Sequence, residues 1–204
     1  MTTTARPLLV PTIATAALMP AYLLLRPYGD KVGDAAPAIS AFTDPAWVFA
    51  HLCGILALAA FAVLVGRLAR TLPGRGIAVA GALALPSAVL TALYFGAETF
   101  ALAVVAGALP QAEALSTIEA IRNHPAALVV FGLGLLGLAV AALLAAWAWQ
   151  RADSRHGWAL WPLAVLVALV LPQFYLPVGG RMAFGVVYAL AGVLFAWAVI
   201  RRWP

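Results

Sequence analysis

The chain has 204 residues, 65% hydrophobic and 9% charged, with a formal net charge of +5 and a mean hydropathy of +1.02. Soluble domains carry about 25% charged residues, so a water-exposed surface for a globule of this size cannot be built and lipid must solvate most of the chain. The basic residues sit at helix ends and in short loops, as topology determinants and headgroup contacts do, which excludes nucleic acid as a natural partner.

Crossing the hydrocarbon core takes roughly 20 apolar residues in a helix. Six stretches qualify, at about 8–25, 46–66, 77–107, 126–149, 158–175 and 182–200. The expected fold is therefore all-α: an integral membrane bundle of about six transmembrane helices forming one domain over 1–204.

The first stretch follows Met1–Arg6 and is longer than the roughly 7–15-residue core of a signal peptide, so it reads as a retained helix, leaving the membrane at Tyr22 and Arg26. Residues 26–45, rich in Pro, Gly and Asp, form the longest connection. The second helix starts near Trp47, with His51 about one turn further in and Cys53 beyond it. Cys53 is the single cysteine, so no intrachain disulfide is possible, and it reads as a small buried hydrophobe. The third stretch is overlong and contains Pro86, so it must tilt, kink or project. Residues 108–125 connect it to the fourth helix, where Arg122, Asn123 and His124 precede Pro125, a residue suited to a first helical turn. The fifth stretch ends at Leu171–Pro172, where proline removes a backbone donor, followed by Gln173 and Tyr175. After the Gly179–Gly180 turn the sixth begins with Arg181 and carries Tyr188 further in.

Gly134, Gly137, Ala141 and Ala145 share one face of the fourth helix, and Gly185, Ala189, Gly192 and Ala196 one face of the sixth. Such faces let membrane helices approach closely. Packing within the chain is the expected use, with a homodimer contact as the alternative. Trp147, Trp149, Trp158, Trp161, Trp197 and Trp203 gather near one boundary and Trp47 near the other, as an interfacial belt. Arg6, Arg67, Arg70, Arg75, Arg151, Arg155, Arg201 and Arg202 fall on one side, against Arg26, Lys31, Arg122 and Arg181 on the other. The positive-inside rule then places both termini in the cytoplasm. Asp30, Asp34, Asp44, Glu113 and Glu119 all fall outside.

An ionisable side chain within a span costs at least about 2.5–3.5 kcal/mol near a helix centre and marks a functional site by default. Glu98 is the one acid inside an expected span. Ser87, Thr91, Tyr94 and Glu98 fall on one face of the third helix, and a polar stripe there should meet a cavity or another helix rather than lipid. The plain alternative is an interhelical hydrogen-bond ladder. By depth, Tyr22, Trp47, His51, Arg122, His124, Gln173, Tyr175, Arg181 and, further in, Tyr188 lie in the same outer half as Glu98, which points to a pocket open toward the outer leaflet.

The expected chemistry is proton transfer to or from a lipophilic small molecule. Glu98, Tyr94 and His51 are the candidate catalytic groups. Tyr22, Trp47, Thr91, Phe95, His124, Arg122, Gln173, Tyr175, Arg181 and Tyr188 are the candidate binding groups. Desolvation would keep the Glu98 carboxyl protonated as a general acid; an arginine within a few ångströms would instead make it an ionised base or an ion-pair member. A two-histidine, one-carboxylate metal set of His51, Glu98 and His124 has no ligand motif behind it, a bis-histidine haem on His51 and His124 has no second pair, and no cofactor motif is present. Metal and cofactor are both expected to be absent. Aromatic faces such as Tyr22, Tyr94, Phe95, Phe100, Phe174, Tyr175 and Tyr188 could stabilise cationic intermediates. In size and general character the chain resembles the small integral-membrane terpene cyclases, a resemblance that implies an isoprenoid substrate. A proton-coupled transporter or ligand-binding protein is the second reading, and an accessory scaffold the third.

Overall fold

A computed structural model describes residues 6–30 and 35–202. Lys31, Asp34, Trp203 and the Arg6 side chain, which entered the orientation and belt arguments, lie outside the described residues. Within them the chain is helical and carries no strand. The elements are α1 (Arg6–Leu25), α2 (Ala35–Thr43), α3 (Pro45–Thr71), α4 (Arg75–Gly96), a π-helical turn (Ala97–Ala101), α5 (Leu102–Ala108), α6 (Gln111–Arg122), α7 (Pro125–Ala152), a 3-10 turn (Gly157–Leu160), α8 (Trp161–Ala168), α9 (Val170–Gln173) and α10 (Val178–Arg202).

Five runs are long and apolar enough to cross a membrane: Pro7–Leu25, Pro45–Thr71, Arg75–Ala108, Pro125–Ala152 and Val178–Arg202. The protein is thus an all-α, multi-pass membrane bundle. The sixth expected crossing is segmented rather than continuous. Pro172 lacks the N–H that would bond back to residue 168, and its ring crowds that carbonyl. The helix accordingly ends at Ala168, Leu169 turns at φ −90°, ψ 5°, and the four-residue α9 follows.

The long helices close into a ring: α1 packs on α3, α3 on α4, α4 on α7, α7 on α8, α8 on α10, and α10 on α1. Arg67 near the end of α3 donates to the Pro7 carbonyl at the start of α1. Arg202 donates to the Ala152 carbonyl at 2.8 Å and lies 3.6 Å from Asp153, so both described chain ends sit at one end of the bundle.

The small-residue faces meet neighbours within the chain. A Cβ added to Gly134 would lie 2.5 Å from Thr91 Oγ1 and 2.9 Å from the Ser87 carbonyl, and Gly185 faces Leu23 and Pro20 of α1 in the same way. Backbone approach this close is how membrane helices gain dispersion contact where no hydrophobic driving force acts between them.

The two longest expected connections are partly helical. In α2, Ala38, Ala41 and Phe42 are buried, and in α6 Ala114 and Ile118, spacings that give each short helix one apolar stripe. Ala38, Phe42 and Ile118 join Trp47, Leu102 and Ala106 in a small second core. This core covers the end of the bundle opposite the chain ends, directly over the groups described next.

A buried ionic network at a π-helical turn

Asp44 caps α3 by accepting from the Ala46 N–H at 2.8 Å, and Pro45 occupies the first turn. The fixed start sets Trp47 and His51, one turn apart, on the inward face, both fully buried. Across from them the long helix widens at Ala97–Ala101 into a π-helical turn. Such a turn inserts one residue into the helical register, re-aims the side chains it carries and recurs at functional sites. Glu98 stands in it, 8% exposed. The Trp47 indole N–H donates to the Glu98 backbone carbonyl at 2.9 Å, so α3 grips the turn at the residue that bears the carboxylate.

Glu98 is an ion-pair member, the alternative that an arginine nearby would require. Arg122 Nε donates to Glu98 Oε1 at 2.8 Å. Its Nη2 donates to Asp30 Oδ2 at 2.8 Å, and Asp30 Oδ2 also takes Arg26 Nη2 at 2.5 Å. Arg26 Nη1 donates onward to the Tyr22 hydroxyl at 3.0 Å. Burial pushes the Asp30 carboxyl up, but the Arg26 charge and the Arg122 hydrogen bond outweigh it and hold Asp30 below the usual carboxylate range. Burial likewise disfavours the Arg122 charge, and Glu98 and Asp30 more than offset this.

On the far side of Glu98 stands His51. Its Nδ1 is 2.7 Å from the Trp47 carbonyl oxygen; a carbonyl only accepts, so Nδ1 carries the hydrogen. Nε2 then faces Glu98 Oε2 at 3.6 Å and has no hydrogen-bond partner among the described residues. The rings of Trp47, Tyr22 and Phe95 enclose the imidazole at 4.0, 5.3 and 6.0 Å.

A pocket of about 470 Å³ opens beside the network, lined by Arg26, Tyr94, Glu98, Arg122, Asn123, Leu128, Phe131, Gly132, Leu171, Phe174 and Tyr175. The Tyr94 ring stacks on Phe131 at 4.4 Å and its hydroxyl donates to the Arg122 carbonyl at 3.3 Å. Tyr175 is 85% exposed at the rim. Of the expected site residues, then, Glu98, Tyr94, Arg122 and Tyr175 line the pocket. His51, Trp47, Tyr22 and Phe95 form its buried backing. Gln173 and Arg181 are buried behind Phe174, whose ring lies 5.6 Å from the Arg181 guanidinium.

Three of the expected site residues stand away from this pocket. Thr91 is not a pocket residue: its hydroxyl donates to the Ser87 carbonyl at 2.9 Å and it packs against Gly134, so the lower part of the polar stripe is helix-packing surface. Tyr188 is buried against α1, its hydroxyl 2.9 Å from Thr15 Oγ1. His124 is exposed at the start of α7 and bonds through its backbone. Among the described residues no three His, Cys, Asp or Glu side chains are grouped to hold a metal ion, so the His51, Glu98 and His124 set does not form. Trp47 belongs to the site and not to a belt, whereas Trp147, Trp158 and Trp197 remain exposed at the other end.

Asp30 and Arg26 are the site residues that sequence reasoning passed over. Their i, i+4 spacing was the available signal, but a loop acid reads as a solvated one. Comparison with known protein families, characterised proteins and solved structures finds no match to this chain.

Proposed function

We propose that the protein is a membrane-embedded enzyme of the cell membrane that exchanges a proton with a lipophilic substrate bound in the pocket beside Glu98. The observation that carries this reading is the His51–Glu98 pair. Nε2 of the imidazole and Oε2 of the carboxylate face each other at 3.6 Å in a buried site. A proton held between them makes a charge-assisted hydrogen bond, so the pair can take a proton from a substrate in the pocket and return it to the same substrate. Arg122 fixes the other carboxylate oxygen and thereby the orientation of Oε2. Aromatic rings back the buried pair, and the low dielectric there strengthens each electrostatic contact. Return of the proton to a different atom is an isomerisation, and delivery to a double bond begins a cyclisation of the kind an isoprenoid undergoes, with the rings of Phe131, Phe174 and Tyr94 available to a cationic centre.

A transport path receives less support. Toward the chain ends from the pocket, α4 and α7 are in backbone contact at Thr91 and Gly134, which favours a dead-end pocket.

The test is mass spectrometry of small molecules that co-purify in mild detergent with the wild type and with Glu98→Gln. The expected result is one lipophilic compound enriched in both, unconverted in the variant and accompanied by its product in the wild type. Finding no specific compound in either, with the variant equally stable, would remove the catalytic role of Glu98.

A further inference from the structure

The charges drawn into the buried cluster at this end of the bundle do not balance. Among the described residues three guanidinium groups, Arg26, Arg122 and Arg181, meet two carboxylates, Asp30 and Glu98. Both carboxylates are taken by Arg26 and Arg122. Arg181 is 2% exposed and makes no ion pair within the described residues. Its Nε donates to Gln173 Oε1 at 3.4 Å, while its Nη2 is buried with no hydrogen-bond partner among the described residues. Arg26 Nε is in the same condition.

The two groups are also close neighbours. The Tyr28 ring lies 5.2 Å from the Arg181 guanidinium carbon and 5.9 Å from that of Arg26, so two like charges share one aromatic ring. Ring faces offset part of the desolvation of a cation but not the cost of an ion held without a counter-charge. A buried cation left in that state is retained for function rather than for the fold. Arg26 and Phe174, against which Arg181 lies, are walls of the pocket, and its remaining walls include Leu128, Phe131 and Leu171. The surplus positive charge therefore adjoins a cleft that has Glu98, Arg122 and Asn123 on one side and aromatic and aliphatic residues over the rest.

We propose that Arg26, with Arg181 behind it, binds the oxyanion head (a phosphate or a carboxylate) of an amphiphile whose apolar chain lies along Leu128, Phe131 and Leu171. The inference rests on the pocket reading above and names its substrate class: a lipophile with an anionic head. Arg26 presents its charge to the pocket, and Arg181 adds a second from behind Phe174, where the low dielectric lets it act at a distance.

The experiment is thermal unfolding of the full chain in a neutral maltoside detergent with dodecyl phosphate, dodecanol or inorganic phosphate, for wild type, Arg181→Met and Arg181→Lys. The expected result is a saturable rise in Tm with dodecyl phosphate, none with dodecanol, and at most a small one with inorganic phosphate. Arg181→Met should raise the Tm of the ligand-free protein, because an unmatched buried charge is gone, and weaken the dodecyl phosphate response at least about tenfold. Arg181→Lys should keep most of that response. Equal shifts with dodecanol, or an Arg181→Met that is destabilised yet responds as the wild type does, would overturn the proposal, the second by assigning Arg181 a partner within the chain. Equal shifts with inorganic phosphate would overturn its lipophilic half. None of these arms reads turnover, so they stand or fall apart from the Glu98→Gln result.

Discussion

Replacing Arg122 with methionine is expected to destabilise the folded protein by about 3–5 kcal/mol, the usual cost of stripping a buried charge of its partner. Methionine fills much of the same volume, so the loss is electrostatic. Glu98 loses the donor at 2.8 Å to Oε1, and Asp30 loses one of its two guanidinium partners. Adding Glu98→Gln to the same chain should recover most of the loss, since the stranded carboxylate is then neutral and Asp30 keeps Arg26. Unfolding of the two single variants and the double in detergent measures the coupling; simple additivity of the two costs would contradict the network. The pH dependence follows from Asp30. A carboxyl held below its usual value stabilises the fold above about pH 4 and loses that contribution as the pH falls through its folded value. Arg122→Met weakens the depression, so its acid limb should be shallower than that of the wild type.

His51→Phe is expected to lower turnover of the co-purifying lipophile by about 10²–10⁴-fold, the range removed with one proton-transfer partner. Phenylalanine retains the ring contacts with Trp47, Tyr22 and Phe95. The fold and substrate binding should therefore survive, and the loss should fall on kcat with KM little changed. If His51→Phe turns over normally while Glu98→Gln does not, Glu98 works alone and His51 is packing.

The spans were legible because hydropathy and length measure the solvent directly, and Glu98 stood out because a charge at membrane depth is costly enough to need a reason, while His51 and Arg122 were grouped with it by depth alone. Three things were hidden. The π-helical turn leaves no local signature beyond an overlong apolar run, yet it aims Glu98 at Arg122. The short helices α2 and α6 carry their apolar stripes on so few residues that Pro, Gly and charged neighbours mask them. The division of the polar stripe was hidden as well: Ser87 and Thr91 share a face with Glu98, but the glycines opposite them on α7 turn that part of the face into a contact. Gly134 and Gly137 were visible in the sequence; their facing partners were not. Arg26, Arg122 and Arg181 belong to the cluster at the site and not to solvated loops.

The state of Glu98 is the point on which the account turns, and infrared difference spectroscopy of wild type against Glu98→Gln reads it directly. The substitution is expected to remove a carboxylate band at neutral pH and to leave the region of protonated carboxyl groups unchanged. Loss of a protonated carboxyl band instead would mean that Glu98 is neutral, that the ion pair with Arg122 does not form in the membrane protein, and that the His51–Glu98 pair is not the base proposed for it.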